Sequence, residues 1–291
     1  MIQARTVAEA RAWVHGVRRT GARLGFVPTM GALHVAHQEL VDCCRSGVDA
    51  VVMSVFVNPT QFGPGEDYDR YPRDPQRDAA LAAAAGVDLL FLPHSDEMYP
   101  HGSTAFVDVG PLGAMLEGAA RPGHFRGVAT VVTKLVHVLA PDVAVFGQKD
   151  AQQVAVVRRL VRDLLLPTEV RCMPTVRERD GLALSSRNVY LSPDQRRAAP
   201  ILYRALERVR VALQAGERRA AELEALVSQT VGQEPLARME YVAVVGADGW
   251  EPLERAEGKT LVVVAARFGE VRLLDNLCVR VHADGVEPGV P

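Results

Sequence analysis

Over its first two-thirds the chain alternates short apolar runs with amphipathic stretches. Residues 24–28 are apolar and stopped by a proline, the mark of a short buried strand. Residues 50–57 are apolar on both parities, as a strand covered on both faces should be. Residues 87–92 and 143–146 repeat the pattern. Between and after these runs, 39–45, 79–85, 128–139 and 151–165 read as helices. A β-α-β-α-β-α-β-α order implies a parallel sheet with right-handed crossovers, whose ligands bind at the carboxyl ends of the strands near the switch in strand order. After about Pro174 the texture changes. Residues 193–215 read as one long helix and 220–231 as a second, followed by strands at 239–245, 260–266 and 271–276. The Gly/Pro-rich tail from Asp284 to Pro291 is expected to fray. The reading is therefore an α/β, Rossmann-like parallel-sheet domain over 1–174 and a smaller α+β domain over 175–291.

Composition narrows the function classes. Lys plus Arg number 33 against 35 Asp plus Glu, so no global field favours nucleic acid. Aromatics at 5% are too few for base-stacking platforms. No apolar run approaches the roughly 20 residues of a membrane span, and the first thirty residues lack the apolar core of a secretory signal. Cys43 and Cys44 are adjacent while Cys172 and Cys278 lie far away, which fits neither a disulfide framework nor a zinc pattern. A cytoplasmic protein acting on small molecules, without nucleic acid or membrane, is expected.

Chemistry-bearing residues cluster where the predicted strands end. The first strand runs into Met30-Gly31-Ala32-Leu33-His34-Val35-Ala36-His37. Spacing of i, i+3 puts both imidazoles on one face of a helix start, where free N–H groups and the helix dipole favour anions. An isolated pair of this kind is more often two solvated or core histidines; placement at a strand end reverses that and favours the ligand. The second strand runs into Asn58-Pro59-Thr60-Gln61, amides able to fix a carboxylate or hydroxyl without added charge. A Gly-rich loop around Arg121-Pro122-Gly123-His124 leads into a helix and reads as ligand-facing or merely covering. The fourth strand ends in Gly147-Gln148-Lys149-Asp150, a point charge suited to phosphate beside a helix-capping Asp. Leu184-Ser185-Ser186-Arg187-Asn188 gathers hydroxyls and a guanidinium as an anion clasp would, although the same residues make an ordinary surface turn. Val176, upstream, is placed to pack on a flat ring.

In this order and spacing, and with Arg272-Leu273-Leu274-Asp275-Asn276 near the end, these segments resemble the pantothenate synthetase (pantoate–β-alanine ligase) family of the cytidylyltransferase-like nucleotidyl transferases, from about Ala22 to Val281. The resemblance implies ATP-dependent joining of pantoate to β-alanine through a pantoyl adenylate, with release of pyrophosphate and AMP. His34, His37, Lys149 and Arg187 would carry catalysis, with His37 the proton donor. Met30, Gly31, His34, Ala36, His37, Gly147, Lys149, Asp150, Val176, Leu184, Ser185, Ser186 and Arg187 would hold ATP. Gln61 and Gln153 would hold pantoate, Phe56, Val131, Val132 and Phe146 would pack its gem-dimethyl group, and Gln61 would also meet β-alanine. Mg²⁺ would ride on the ATP phosphates, no protein ligand being assigned. The family is usually homodimeric through its N-terminal domain, and the C-terminal domain is expected to act as a lid.

Three departures fall on the nucleotide side. The family's H-E-G-H reads His34-Val35-Ala36-His37, setting a methyl where the adenine ring approaches the backbone, with an expected cost of about 1 kcal/mol in ATP binding. G-E-K-D reads Gly147-Gln148-Lys149-Asp150, which removes a carboxylate expected near the phosphates, and M-S-S-R begins with Leu184. Two other readings compete: a related acyl-adenylate-forming amide ligase with another acid or amine, and a catalytically weakened nucleotide-binding paralogue.

Overall fold

The computed structural model describes residues 1–282 and 285–291. Its contacts divide the chain into two compact units, one of Met1–Phe146 with Gln152–Met173 and one of Gly147–Ala151 with Pro174–Pro291. The expected boundary at 174 did not include the segment 147–151, which counts with the second unit.

The first unit is a six-stranded sheet flanked by helices. In chain order its elements are β1 (Ile2–Ala4), α1 (Val7–Arg18), β2 (Leu24–Thr29), α2 (Val35–Arg45), β3 (Ala50–Val55), α3 (Pro75–Ala84), β4 (Leu89–Phe91), α4 (Ser95–Met98), α5 (Glu117–Ala120), α6 (His124–Leu139), β5 (Val143–Gly147), α7 (Ala151–Asp163) and β6 (Glu169–Met173). The strands lie in the order β1-β4-β3-β2-β5-β6. β2 pairs in parallel with β3 on one side and β5 on the other, so the strand order switches direction beside β2. Phe26, Val27, Val51, Val52 and Leu90 are buried completely, as the both-parity apolar pattern requires.

Five elements of this unit, β1, α1, α4, α5 and β6, do not show as apolar or amphipathic runs in the sequence. Helix α1 is announced by a capping box: Thr6 Oγ1 accepts the Glu9 N–H at 3.2 Å, and a Glu9 carboxylate oxygen accepts the Thr6 N–H at 3.0 Å. β1 and β6 are edge strands of three and five residues, too short and too exposed to show an apolar run.

The second unit contains α8 (Pro193–Ala198), α9 (Ile201–Gln214), α10 (Ala220–Val231), β7 (Arg238–Gly246), β8 (Gly258–Phe268), β9 (Val271–His282) and β10 (Gly285–Pro288). The strands form a four-stranded antiparallel sheet ordered β10-β9-β8-β7. Leu206, Leu213, Leu223, Val227 and Phe268 share its core. The single helix expected over 193–215 is two helices, because Pro200 has no N–H to continue the ladder and instead opens α9. The tail expected to fray forms β10, which pairs Val286 with Val281 and Pro288 with Val279. Asp284, where that tail was expected to begin, lies outside the described residues. Among the described residues no helix is long and apolar enough to cross a membrane.

Candidate active site

The loop after β2 is held in an uncommon backbone shape. Gly31 has φ +88° and Ala32 φ +51°, both left-handed. A buried carboxylate fixes this shape. Asp78, in the first turn of α3, is 1% exposed and accepts the N–H of Ala32 at 3.0 Å and of Leu33 at 2.8 Å. A Cβ on Gly31 would stand 2.8 Å from Asp78 Oδ2, so the glycine is required by space as well as by φ. In the sequence, Asp78 reads as one more acid in the first turn of a helix that Asp74 already caps, and nothing local marks its partner in a loop more than forty residues away.

His34 caps α2 with extended backbone, and His37 lies in the first turn. His37 Nδ1 accepts the His34 backbone N–H at 3.2 Å, and the two rings lie 4.2 Å apart between centroids. A neutral imidazole that accepts at Nδ1 carries its proton on Nε2. The arrangement thus offers a donor at the N-terminus of an eleven-residue helix, suited to an anionic oxygen. Ala36 is half-buried in the same first turn with helical backbone, so no conformational demand calls for glycine there.

The turn after β3 is organised by Asn58, which is 1% exposed. Its Nδ2 donates to Gln61 Oε1 and to Gly127 O, both at 3.1 Å. Its Oδ1 accepts from Tyr99 OH at 2.8 Å and Thr60 Oγ1 at 3.0 Å. With Oε1 occupied, the Gln61 amide presents its NH₂ end, which lies 3.0 Å from Met30 Sδ. Gly127 lets α6 approach this turn: a Cβ there would stand 2.4 Å from Thr60 O.

The Gln61 carbonyl is gripped in turn by two side chains of the Gly-rich loop. His124 Nδ1 donates to it at 2.8 Å and an Arg121 terminal nitrogen at 3.2 Å. Burial, with the neighbouring Arg121 charge, pushes the His124 pKa down to about 4, so the ring is neutral. Its free Nε2 accepts from Arg121 at 3.2 Å. Arg121 also holds Glu66 through two nitrogens, at 2.8 and 2.6 Å. Burial opposes the Glu66 charge, but the Arg121 hydrogen bonds and charge outweigh it and hold this carboxyl below the usual carboxylate range. The loop around 121–124 is therefore a clamp on the Gln61 turn.

The remaining residues expected on the pantoate side also lie in the first unit. Phe56, Val131, Val132 and Phe146 are buried, and the Phe56 ring lies 6.4 Å from that of Tyr99. Gln153 is half-buried near the start of α7. Its neighbour Gln152 is structural: its NH₂ holds Leu112 O and Met115 O at 2.9 Å each, and its oxygen accepts the Glu117 N–H at 3.1 Å.

The second unit groups the other nucleotide-side residues. Val176 and Leu184 are joined across a hairpin, Leu184 N–H donating to Val176 O at 2.9 Å. The hairpin turns at Gly181, where a Cβ would stand 1.9 Å from the Tyr203 ring. It leads into a 3-10 turn over Ser186–Tyr190, where Ser185 Oγ accepts the Arg187 N–H at 3.3 Å. Gly147 leads into another 3-10 turn, Gln148–Asp150, in which Lys149 Nζ lies 3.3 Å from Asp150 Oδ1. Lys149 and Ser185 line one small cavity of this unit, with Tyr203, Leu273 and Asp275 among its other walls. Gln148 is 7% exposed and its amide donates to Asn276 Oδ1 at 3.1 Å. Asp78 carries no local signal in the sequence because the backbone it holds lies more than forty residues away; Asn58 shows there as a ligand-fixing amide, Arg121 and His124 as part of a ligand-facing or covering loop, and Asp275 and Asn276 as part of a motif, all without their partners.

Comparison with known proteins gives one answer. The family model described as Pantoate-beta-alanine ligase matches residues 3–278. A pantothenate synthetase from Pelotomaculum thermopropionicum is 52% identical over 276 residues, covering 95% of this chain and 98% of that protein. One from Chloroflexus aggregans is 55% identical over 273 residues, covering 93% and 97%. The crystal structure of pantothenate synthetase from Thermus thermophilus superposes with a TM-score of 0.91 at 52% identity, over 95% of this chain and 99% of that one. A pantoate-beta-alanine ligase from Francisella tularensis, complexed with Beta-gamma ATP and beta-alanine, superposes at 0.79 with 33% identity over 96% and 97%. With the histidine pair behind β2, the amide turn behind β3 and near-complete coverage by these relatives, the chain belongs to the pantoate-beta-alanine ligase family.

Proposed function

We propose that this chain condenses pantoate with β-alanine at the expense of ATP, through a pantoyl adenylate. The pantoate carboxylate attacks the α-phosphorus and pyrophosphate leaves; the β-alanine amine then attacks the acyl carbon and AMP leaves. The observation that carries the reading is the approach of Gln61 Nε2 to Met30 Sδ at 3.0 Å, which sets an acid-binding amide against the loop that leads to His34 and His37. The relatives named above support the same pair of substrates, and the Francisella tularensis complex supports ATP and β-alanine.

A carboxylate needs no base to attack phosphorus, so the first step calls for alignment and charge neutralisation. We assign the His37 Nε2–H and His34 to the anionic oxygens, with Met30, Gly31 and Ala36 on the nucleotide. Lys149, Ser185, Ser186 and Arg187 are assigned to the phosphates, and Gly147, Asp150, Val176 and Leu184 to the rest of the nucleotide. Gln61 and Gln153 hold pantoate against Phe56, Val131, Val132 and Phe146, and Gln61 also meets the amine. The second step uses a mixed anhydride, already a reactive acyl donor, so its need is exclusion of water; we assign that shielding to residues 175–291.

Mg²⁺ is assigned to the ATP phosphates, the mode in which this cation takes one or two carboxylates at most. Exposed Asp150, beside Lys149, is the carboxylate that fits such a role. Among the described residues no group of three or more His, Cys, Asp or Glu is placed to hold a metal ion. Asp150 and the ATP phosphates would hold the ion, which would supply neutralisation of charge on the pyrophosphate side. A homodimer and a cytoplasmic location complete the proposal. AMP release with pantoate and a panel of amines tests the whole: β-alanine should be strongly preferred, and a different preferred amine would favour the related-ligase reading.

A further inference from the structure

Asp275 and Asn276, both on β9, are 4% and 3% exposed. Asn276, on β9, grips one short turn three ways. Its Nδ2 donates to Gln148 O at 2.9 Å and Lys149 O at 3.1 Å, and its Oδ1 accepts from Gln148 Nε2 at 3.1 Å. Its own N–H donates to Asp275 Oδ1 at 2.8 Å. Asp275 also takes two nitrogens of Arg177, at 2.6 and 2.9 Å. Arg177 donates to Gly181 O at 3.0 Å and lies over the Tyr203 ring at 4.6 Å, so it is fixed on the hairpin that joins Val176 to Leu184.

We propose that Asn276 is a positioning residue for Lys149, fixing the backbone from which that side chain projects. Through Asp275 and Arg177 the same grip ties the Lys149 turn to the hairpin that leads into Ser185, Ser186 and Arg187. The chemistry explains the residue type. Two carbonyls need donors and one amide needs an acceptor, a set that a carboxamide satisfies and a carboxylate does not. Rate is sensitive to such placement, because a displacement of about 1 Å costs on the order of 10²-fold.

The inference rests on the assignment of Lys149 to the phosphates, and its test separates the two. Asn276→Asp and Asn276→Ala are made in the wild-type and in the Lys149→Ala chain. Pantoate-dependent exchange of pyrophosphate into ATP and the Kd for ATP are measured in both backgrounds. With Lys149 present, each substitution should slow exchange about 10–100-fold while the KM for pantoate stays within about twofold. In the Lys149→Ala background the same substitutions should change exchange and Kd less than about threefold, because the group they misplace is gone. An equal loss in both backgrounds overturns the proposal and makes Asn276 a general structural residue. So does failure of both variants to fold, judged by circular dichroism. If Lys149→Ala alone leaves exchange and Kd unchanged, the assignment of Lys149 is what fails, and the proposal falls with it.

Discussion

The carboxylate of Asp78 accepts the backbone N–H of Leu33 at 2.8 Å, from a helix forty-five residues further along the chain. With its second bond, to Ala32, it holds a loop that contains two left-handed residues in succession. Asp78→Asn keeps the shape but turns an NH₂ group toward one of the two N–H donors. A buried donor left unsatisfied costs about 1–3 kcal/mol. The variant should unfold at a measurably lower temperature and show a raised KM for ATP with little change in the KM for pantoate. An unchanged melting curve would show that the loop holds its shape without Asp78.

His37 accepts the His34 N–H at Nδ1, which places its ring proton on Nε2 as a donor. A donor aimed at developing charge is worth about 10²–10³ in rate. His37→Gln should therefore lower kcat for pantoate-dependent exchange by about that factor, more than it raises KM. Steady-state kinetics decide it; a purely KM effect would make His37 a binding residue only.

How much of this was legible beforehand depends on how local each signal is. The strands β2, β3, β4 and β5 show as apolar runs because a parallel sheet buries both faces. The histidine pair and the serine-arginine cluster show because their chemistry sits within a few residues. Asn58 reads in sequence as the start of an ordinary N-P turn, although in the structure it orients Gln61 and donates to the Gly127 carbonyl in α6. Asp275 and Asn276 belong to a motif that shows in the sequence, but their partners Arg177 and Gln148 lie 98 and 128 residues away. The tail reads in sequence as frayed because its Gly and Pro content hides a strand, β10, completed by pairing with β9.

His124 links stability to pH. Its folded pKa is about 4 against an ordinary 6.5, so between those values the unfolded chain binds a proton that the folded chain refuses. Stability from this group is complete above pH 6.5 and declines as the pH falls toward 4. The scale is about 3 kcal/mol. His124→Asn retains a donor for the Gln61 carbonyl and removes the titration. Its melting temperature should fall less than that of the wild type between pH 7 and pH 4, and parallel curves would contradict the assignment.

Ala36 occupies the motif position where the family pattern has glycine. Removing its methyl should tighten ATP by about 1 kcal/mol, a KM for ATP about fivefold lower, with the KM for pantoate unchanged. Kinetics of Ala36→Gly beside the wild type check this. Equal KM values for ATP would mean that the ring does not approach the backbone at this position.

The central claim is that the acid is activated by adenylation before the amine enters. Exchange of labelled pyrophosphate into ATP, measured with pantoate and no amine, addresses it most directly. The account predicts exchange that requires pantoate and proceeds without β-alanine. Exchange that another acid supports and pantoate does not, or that appears only when β-alanine is added, would contradict it.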